Sequence, residues 1–325
     1  MTRHRIWRSL AALGVMTLAA TADAQAQAGK YPDKPVTIIS DAGAGASPDV
    51  AMRIVADALG KLWGENAVVV NHPGANGSVA ARAASEAPND GYTLYSPALS
   101  TFLALPSVAP NLPVKLPRDF LPISFIADQP MFISVNPASG ITTLQQLIDH
   151  AKAAPNSLSI AVSGVGRMTH LTGLLMQQKT GIQLVPVPYT GGPSAALSDV
   201  AAGRVTMMIE GYSGIIGAVN AGQVKLIAVA SPQRLPEFPN LPTVAETIPG
   251  FTAAGWILLA APLGTPGGII SKVSADTAKV LADPEVKRKL SATGSYAHAM
   301  TPAETQAFVD QQQATWLPVL QTIPR

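Results

Sequence analysis

The 325-residue chain contains no cysteine. That absence excludes a disulfide framework, a cysteine nucleophile and thiolate metal sites, so a large apolar core must stabilise the fold, as a chain of this length can provide. Charge is scarce as well, at 13% of residues against 47% hydrophobic, a balance too apolar for a disordered chain. Three basic residues, Arg3, Arg5 and Arg8, lie in the first 28 positions with one acid, Asp23, and the remainder carries nineteen of each sign. A neutral chain without a basic run gives no support for a nucleic-acid or anionic-membrane partner. Long hydrophobic runs are missing too: residues 10–20 are too few to span a bilayer, and no later segment is long and apolar enough.

Enzymatic signatures are equally thin. "GAGASP" begins G-x-G but places Pro48 where a dinucleotide fingerprint needs its third glycine, and no G-K-[ST] loop occurs. "GYSGI" around Ser213 fails the nucleophile-elbow pattern. Beyond the first 28 residues the histidines are His72, His150, His170 and His298, with no H-E-x-x-H or comparable ligand spacing, so no metal and no cofactor is implied.

What is present starts with an export leader. Residues 1–28 combine the three arginines, the short apolar stretch and alternating alanines of a cleavable signal peptide, with cleavage after Ala24, Ala26 or Ala28. Strand-like runs then alternate with helical segments: "PVTII", "PDVAMRIVADALGKLWG", "NAVVVNHP" and "GSVAARAASEAP", and later "MFISVNP", "TTLQQLIDHAKAAP", "LSIAVSG" and "THLTGLLMQQKTG". This alternation predicts parallel sheets covered by helices. In the first helix Val50, Ile54, Val55, Ala58, Leu59 and Leu62 share a face, with Ser47 as N-cap, Pro48 at the first helical position and Gly60 or Gly64 at the end. The proline-rich stretch "ALPSVAPNLPVKLPRDFLPISFIADQP" reads as a connection to a domain crossing near 128–135. A second crossing near 253 would return the C-terminal helices, near 266–282, 284–293 and 302–321, to the first domain. The expected organisation is a lobe of residues 29–128 plus 253–325 and a second lobe of residues 129–252.

Three turns of Gly, Ser or Thr link a strand to a helix start: "SDAGAGASPD" (40–49), "SGVGRMTH" (163–170) and "YTGGPSAA" (189–196). Each such start offers unpaired N–H groups and partial positive charge, at the strand ends where α/β sheets bind ligands. Three together favour an anion site between two lobes. Arg167, one helical turn before His170, suits a bidentate carboxylate contact, while His170 either packs within its helix or lies near the same pocket. Asp49 is a helix-start charge that, near a bound anion, would orient the loop or hold a water; Glu210 reads as structural or solvent-facing. Residues 96–101 either line the cleft or cap a helix.

These motifs resemble a known family, the Bug proteins, periplasmic solute-binding receptors of tripartite tricarboxylate transporters. The resemblance rests on "YPDKPVTII", "GASPDVAMR", "VVVNHPGANGSVAARAASEAPNDGYTL", "SGVGRMTHLTG", "VPYTGGPSAALSDVAAGRV", "LPTVAETIPGF" and "AAPLGTPGGII", and so covers nearly all of the chain after the leader. It implies an α/β, type II periplasmic-binding-protein fold: two lobes of mixed, mostly parallel sheets with a ligand cleft between them. It also implies a carboxylate held at Gly45, Ser47 and Asp49 of one lobe, at Ser163, Gly164, Gly166, Thr169 and His170 of the other, and at Thr190 and Gly191 of the third turn. Membrane transporter subunits are the implied partners of a monomeric, periplasmic protein that breaks no bond. The chain departs from the family's "PYPAGG" loop, with Asp41 for the proline, Ala42 for the aromatic residue and Ala46 for the second glycine. Arg167 also stands where a small polar residue is common. A roomier cleft with an added guanidinium suggests a second ligand carboxylate, as in an aromatic dicarboxylate such as terephthalate. Other functions consistent with the sequence are a ligand-dependent partner of a membrane sensor kinase and an exported hydrolase using Ser163 or Ser47 with His170.

Overall fold

A computed structural model describes residues 31–108, 111–189 and 192–321, and the leader expected at 1–28 lies outside them. In chain order the elements are β1 (Val36–Ser40), α1 (Ser47–Trp63), β2 (Ala67–Asn71), α2 (Ser78–Ser85), β3 (Thr93–Ser96), α3 (Leu99–Leu103), α4 (Leu105–Val108) and β4 (Phe120–Pro130). There follow β5 (Phe132–Val135), α5 (Leu144–Ala153), β6 (Leu158–Val162), α6 (Met168–Thr180), β7 (Leu184–Pro188), α7 (Pro193–Ala201), β8 (Met207–Glu210), α8 (Tyr212–Asn220) and β9 (Lys225–Val229). The chain closes with β10 (Ala254–Pro262), α9 (Gly267–Ala282), α10 (Pro284–Ala292), β11 (Tyr296–Ala297) and α11 (Pro302–Leu320).

These strands form two sheets, ordered β11-β4-β10-β3-β1-β2 and β7-β6-β8-β5-β9. The βα alternation yields parallel pairs where expected: β1 with β2 and β3, and β6 with β7 and β8. Antiparallel pairs enter with the strands on either side of the crossings, β4 with β10 and β5 with both β8 and β9. At the crossing itself Met131 donates its N–H to Ala253 O at 3.1 Å and accepts from Ala230 N–H at 2.8 Å, tying the two connections together.

The proline-rich segment is a strand for much of its length rather than a connection. Residues 120–130 pair with β10 from end to end, and Pro122 sits where the register shifts, a position at which a missing N–H costs no ladder bond. The strand is buried along almost all of its length, so it lacks the alternation that marks a half-exposed one. Returning helices complete this lobe: α9 packs on α1 and β4, and α11 on β4.

Helix α1 ends at Gly64, left-handed at φ 73°, whose N–H bonds Gly60 O. Its buried face is Ala51, Met52, Val55, Ala56 and Leu59, with Ile54 and Ala58 at the margin, while Leu62, placed on that face by the sequence pattern, is exposed. Ser47 is not its N-cap. Ala46 takes that extended position without a side-chain bond, and the Ser47 hydroxyl is engaged elsewhere.

Candidate functional site

The loops after β1, β6 and β7 meet in one cleft between the two sheets. Its lining includes Ser47 and Pro48 at the start of α1, Met168 and Thr169 at the start of α6, and Pro193 and Ala196 in α7. None of these three helices has a side-chain cap: Ala46, Arg167 and Gly192 precede them without one. Side-chain caps occur at α5, α10 and α11, on Thr143, Asp283 and Thr301, while α2, α3, α8 and α9 also lack one. The free N–H groups and dipole ends of α1, α6 and α7 therefore remain available to an anion in the cleft.

Several sequence-selected residues hold the loops in shape. Gly45 donates its N–H to Asp49 Oδ2 at 2.9 Å, and Asp49 Oδ1 accepts from Asn71 at 2.7 Å and pairs with Arg53 at 2.9 Å. Burial raises the Asp49 carboxyl, but these donors outweigh it and leave its pKa below the ordinary value. In the second turn Gly164 (φ 137°) and Gly166 (φ 78°) adopt backbone that a side chain would strain. Gly166 N–H donates to His170 Nδ1 at 3.1 Å; burial lowers the pKa of this imidazole, so it is the neutral acceptor that this bond requires. Thr169 Oγ1 accepts from Ser163 N–H at 2.9 Å and lies 3.0 Å from Ser163 Oγ. Ser163 is thus partnered by Thr169, and the imidazole by the loop amide.

Of the residues selected from sequence, Ser47, Ser163, Arg167 and Thr169 line the cleft, whereas Gly45, Asp49, Gly164, Gly166 and His170 stand behind it. Thr190 and Gly191 fall outside the described residues. Sequence reading missed Gln129, Met131 and Trp256, which the crossing strands bring to the cleft, and left Ser100 and Glu210 undecided. Trp256 Nε1 is buried without a hydrogen-bond partner.

Arg167 was expected to await a ligand carboxylate, but its guanidinium reaches across to the first lobe. It donates to Thr101 Oγ1 at 2.9 Å and approaches Asp41 Oδ1 at 3.4 Å, with Asp41 fully buried and Arg167 11% exposed. Asp41 also accepts from Ala98 N–H at 3.1 Å and from the Thr101 and Tyr95 hydroxyls. Asp41 thus supplies the anion that occupies the arginine. A second bridge joins Gly214 N–H to Ser47 Oγ at 3.1 Å. Gly211 lies so close that a Cβ there would sit 2.5 Å from Ser47 Cβ. The lobes are closed.

Glu210 ends β8 at its carboxyl edge, buried, and borders the same cleft. Burial pushes its carboxyl up to about 7, against the opposing pull of Gly211 N–H and Arg167. Among the described residues no cluster of His, Asp and Glu is arranged to hold a metal.

Two α/β lobes, linked by crossing strands and shut over a cleft at strand ends, have the architecture of a periplasmic solute-binding protein. The model of the tripartite tricarboxylate transporter family receptor matches residues 51–324, and the chain belongs to that receptor family. It is 32% identical to BugT of Bordetella pertussis over 316 residues, 96% of each chain. It is similar in structure to the periplasmic binding protein BugD (TM-score 0.83, 29% identity, 90% of this chain and 98% of that one). Comparable likeness extends to an R. palustris protein with adipate (TM-score 0.87, 29%, 90% and 98%) and to MatC from Rhodopseudomonas palustris with bound malate (TM-score 0.82, 25%, 89% and 100%).

Proposed function

We propose that this protein is exported to the periplasm, captures an organic carboxylate between its lobes as a monomer, and hands it to the membrane subunits of a tripartite transporter. The observation that carries the reading is the convergence of α1, α6 and α7, all without side-chain caps, on one closed cleft. A carboxylate there accepts from helix-start amides of both lobes, with Ser47, Ser163 and Thr169 hydroxyls beside it. Contacts from both lobes exist together only in the closed form, so binding favours closure without any bond being broken. By their motif position Thr190 and Gly191 would extend the third turn of this clamp. Relatives holding adipate and malate support the ligand class.

An aromatic dicarboxylate such as terephthalate fits this reading only if its far carboxylate displaces Asp41 from Arg167. A thermal-shift screen over mono-, di- and tricarboxylates, terephthalate included, tests the function. At a hundredfold excess over Kd the right ligand stabilises by about 2.7 kcal/mol, and no stabilisation by any carboxylate would remove the reading.

A further inference from the structure

The cleft is lined by two buried carboxyl groups, Asp41 and Glu210, and, among the described residues, by one Lys or Arg side chain, Arg167. Arg167 is committed to Asp41 and Thr101. Among the described residues Glu210 is left without an ion-pair partner. Its Oε1 accepts from Gly211 N–H at 2.9 Å, while Oε2 makes no hydrogen bond among the described residues. The side chain is also held in place by α8, since a Cβ at Gly214 would meet Glu210 Cγ at 2.9 Å. The cleft therefore presents a fixed acceptor that still lacks a protein donor and remains open to one brought by a ligand.

We propose that Glu210 reads a hydrogen-bond donor on the ligand, so that the preferred solute carries a carboxylate at one end and an amino, hydroxyl or amide group at the other. This rests on the carboxylate reading above and narrows it. A second ligand carboxylate would meet a like-charged group in a site whose guanidinium is already used, and could settle only by displacing Asp41 from Arg167 or by bringing a proton with it. The high position of the Glu210 carboxyl, about 7, makes that exchange measurable near neutrality. Arg167, itself paired with Asp41, is the charged side chain that opposes the shift. Amino-ended ligands should bind more tightly as pH rises through 7 and diacids less tightly.

The test is calorimetric titration at about pH 8 with two length-matched series. One comprises butanoate, 4-hydroxybutanoate, 4-aminobutanoate and succinate, and the other benzoate, 4-hydroxybenzoate, 4-aminobenzoate and terephthalate. A donor-ended member should exceed its matching diacid by at least about tenfold, the worth of one hydrogen bond to a charged group. Glu210→Gln, whose amide carries no charge and can both donate and accept, should shrink that ratio by about tenfold, with its unliganded melting curve as the check on folding. Diacids binding the wild type as tightly as donor-ended acids, or a ratio unchanged in Glu210→Gln, would overturn the proposal while leaving carboxylate capture intact. If no carboxylate of any kind binds, the function above fails and this inference with it.

Discussion

Replacing Arg167 by alanine should loosen the closed form without harming either lobe. The guanidinium lies 3.4 Å from Asp41 Oδ1 across the cleft, with both groups nearly or fully buried. At an effective dielectric constant of about 20 the attraction at that distance is about 5 kcal/mol, before the cost of taking both ions from water. After that cost, a net contribution to closure of about 1–2 kcal/mol is expected, or about 5–30-fold in the closed-to-open ratio. Asp41 keeps its bonds to Ala98, Thr101 and Tyr95 in the variant, so the first lobe retains its structure. The assay is a double-mutant cycle with Asp41→Asn on the affinity for one monocarboxylate, supported by an interlobe distance from spin labels. A coupling of about 1–2 kcal/mol is expected, with Arg167→Ala shifting the distance distribution toward open. Additive effects, or an Arg167→Ala loss confined to diacids while Asp41→Asn is silent, would show that the arginine serves the ligand and not the latch.

Gly211→Ala places a Cβ 2.5 Å from Ser47 Cβ at a backbone φ of −66° that alanine accepts. The unliganded protein should melt as the wild type does, whereas carboxylate affinity should fall by about 10–100-fold, the cost of a buried clash, and recover in part with Ser47→Gly; titration at the wild-type Kd would refute the closed geometry. Asp49→Asn should cost about 1–3 kcal/mol in denaturant unfolding at neutral pH, chiefly through the Asn71 and Gly45 bonds because Arg53 is half exposed. Because the folded-state pKa of Asp49 is depressed, that stabilisation is present above the unfolded carboxylate value and is lost as pH falls through the folded one, so the two proteins should converge in acid.

The turns that reach the cleft were legible in sequence because each is local. A strand, a Gly-rich turn and a helix start appear as one run of residues at 40–49 and at 163–170, and both reach the cleft. What each residue does within the turn was less legible. Asp49 and His170 stand in the motif, but donors four or more residues away in space or sequence claim them, and only the folded loop shows which. The Arg167 partner lies 126 positions earlier and on the other lobe, so no spacing rule could have found it. A signal was nevertheless present: an unusual acid at 41 and an unusual base at 167 are a matched pair of departures. Glu210 follows the apolar run "MMI" at a strand's carboxyl edge, which was a usable hint of burial at a ligand site. Strand β4 hid because burial on both faces erases the period-two pattern and its prolines imitate a linker.

The most direct test of the central claim is a crystal structure of the protein, stripped of ligand by unfolding and refolding, then saturated with the tightest-binding carboxylate from the screen. A carboxylate group is expected within hydrogen-bond distance of the starts of α1 and α6, between Ser47 and Thr169, with the lobes closed as they are here. A carboxylate bound outside this cleft, or bound in it with its charge turned away from both helix starts, would contradict the account.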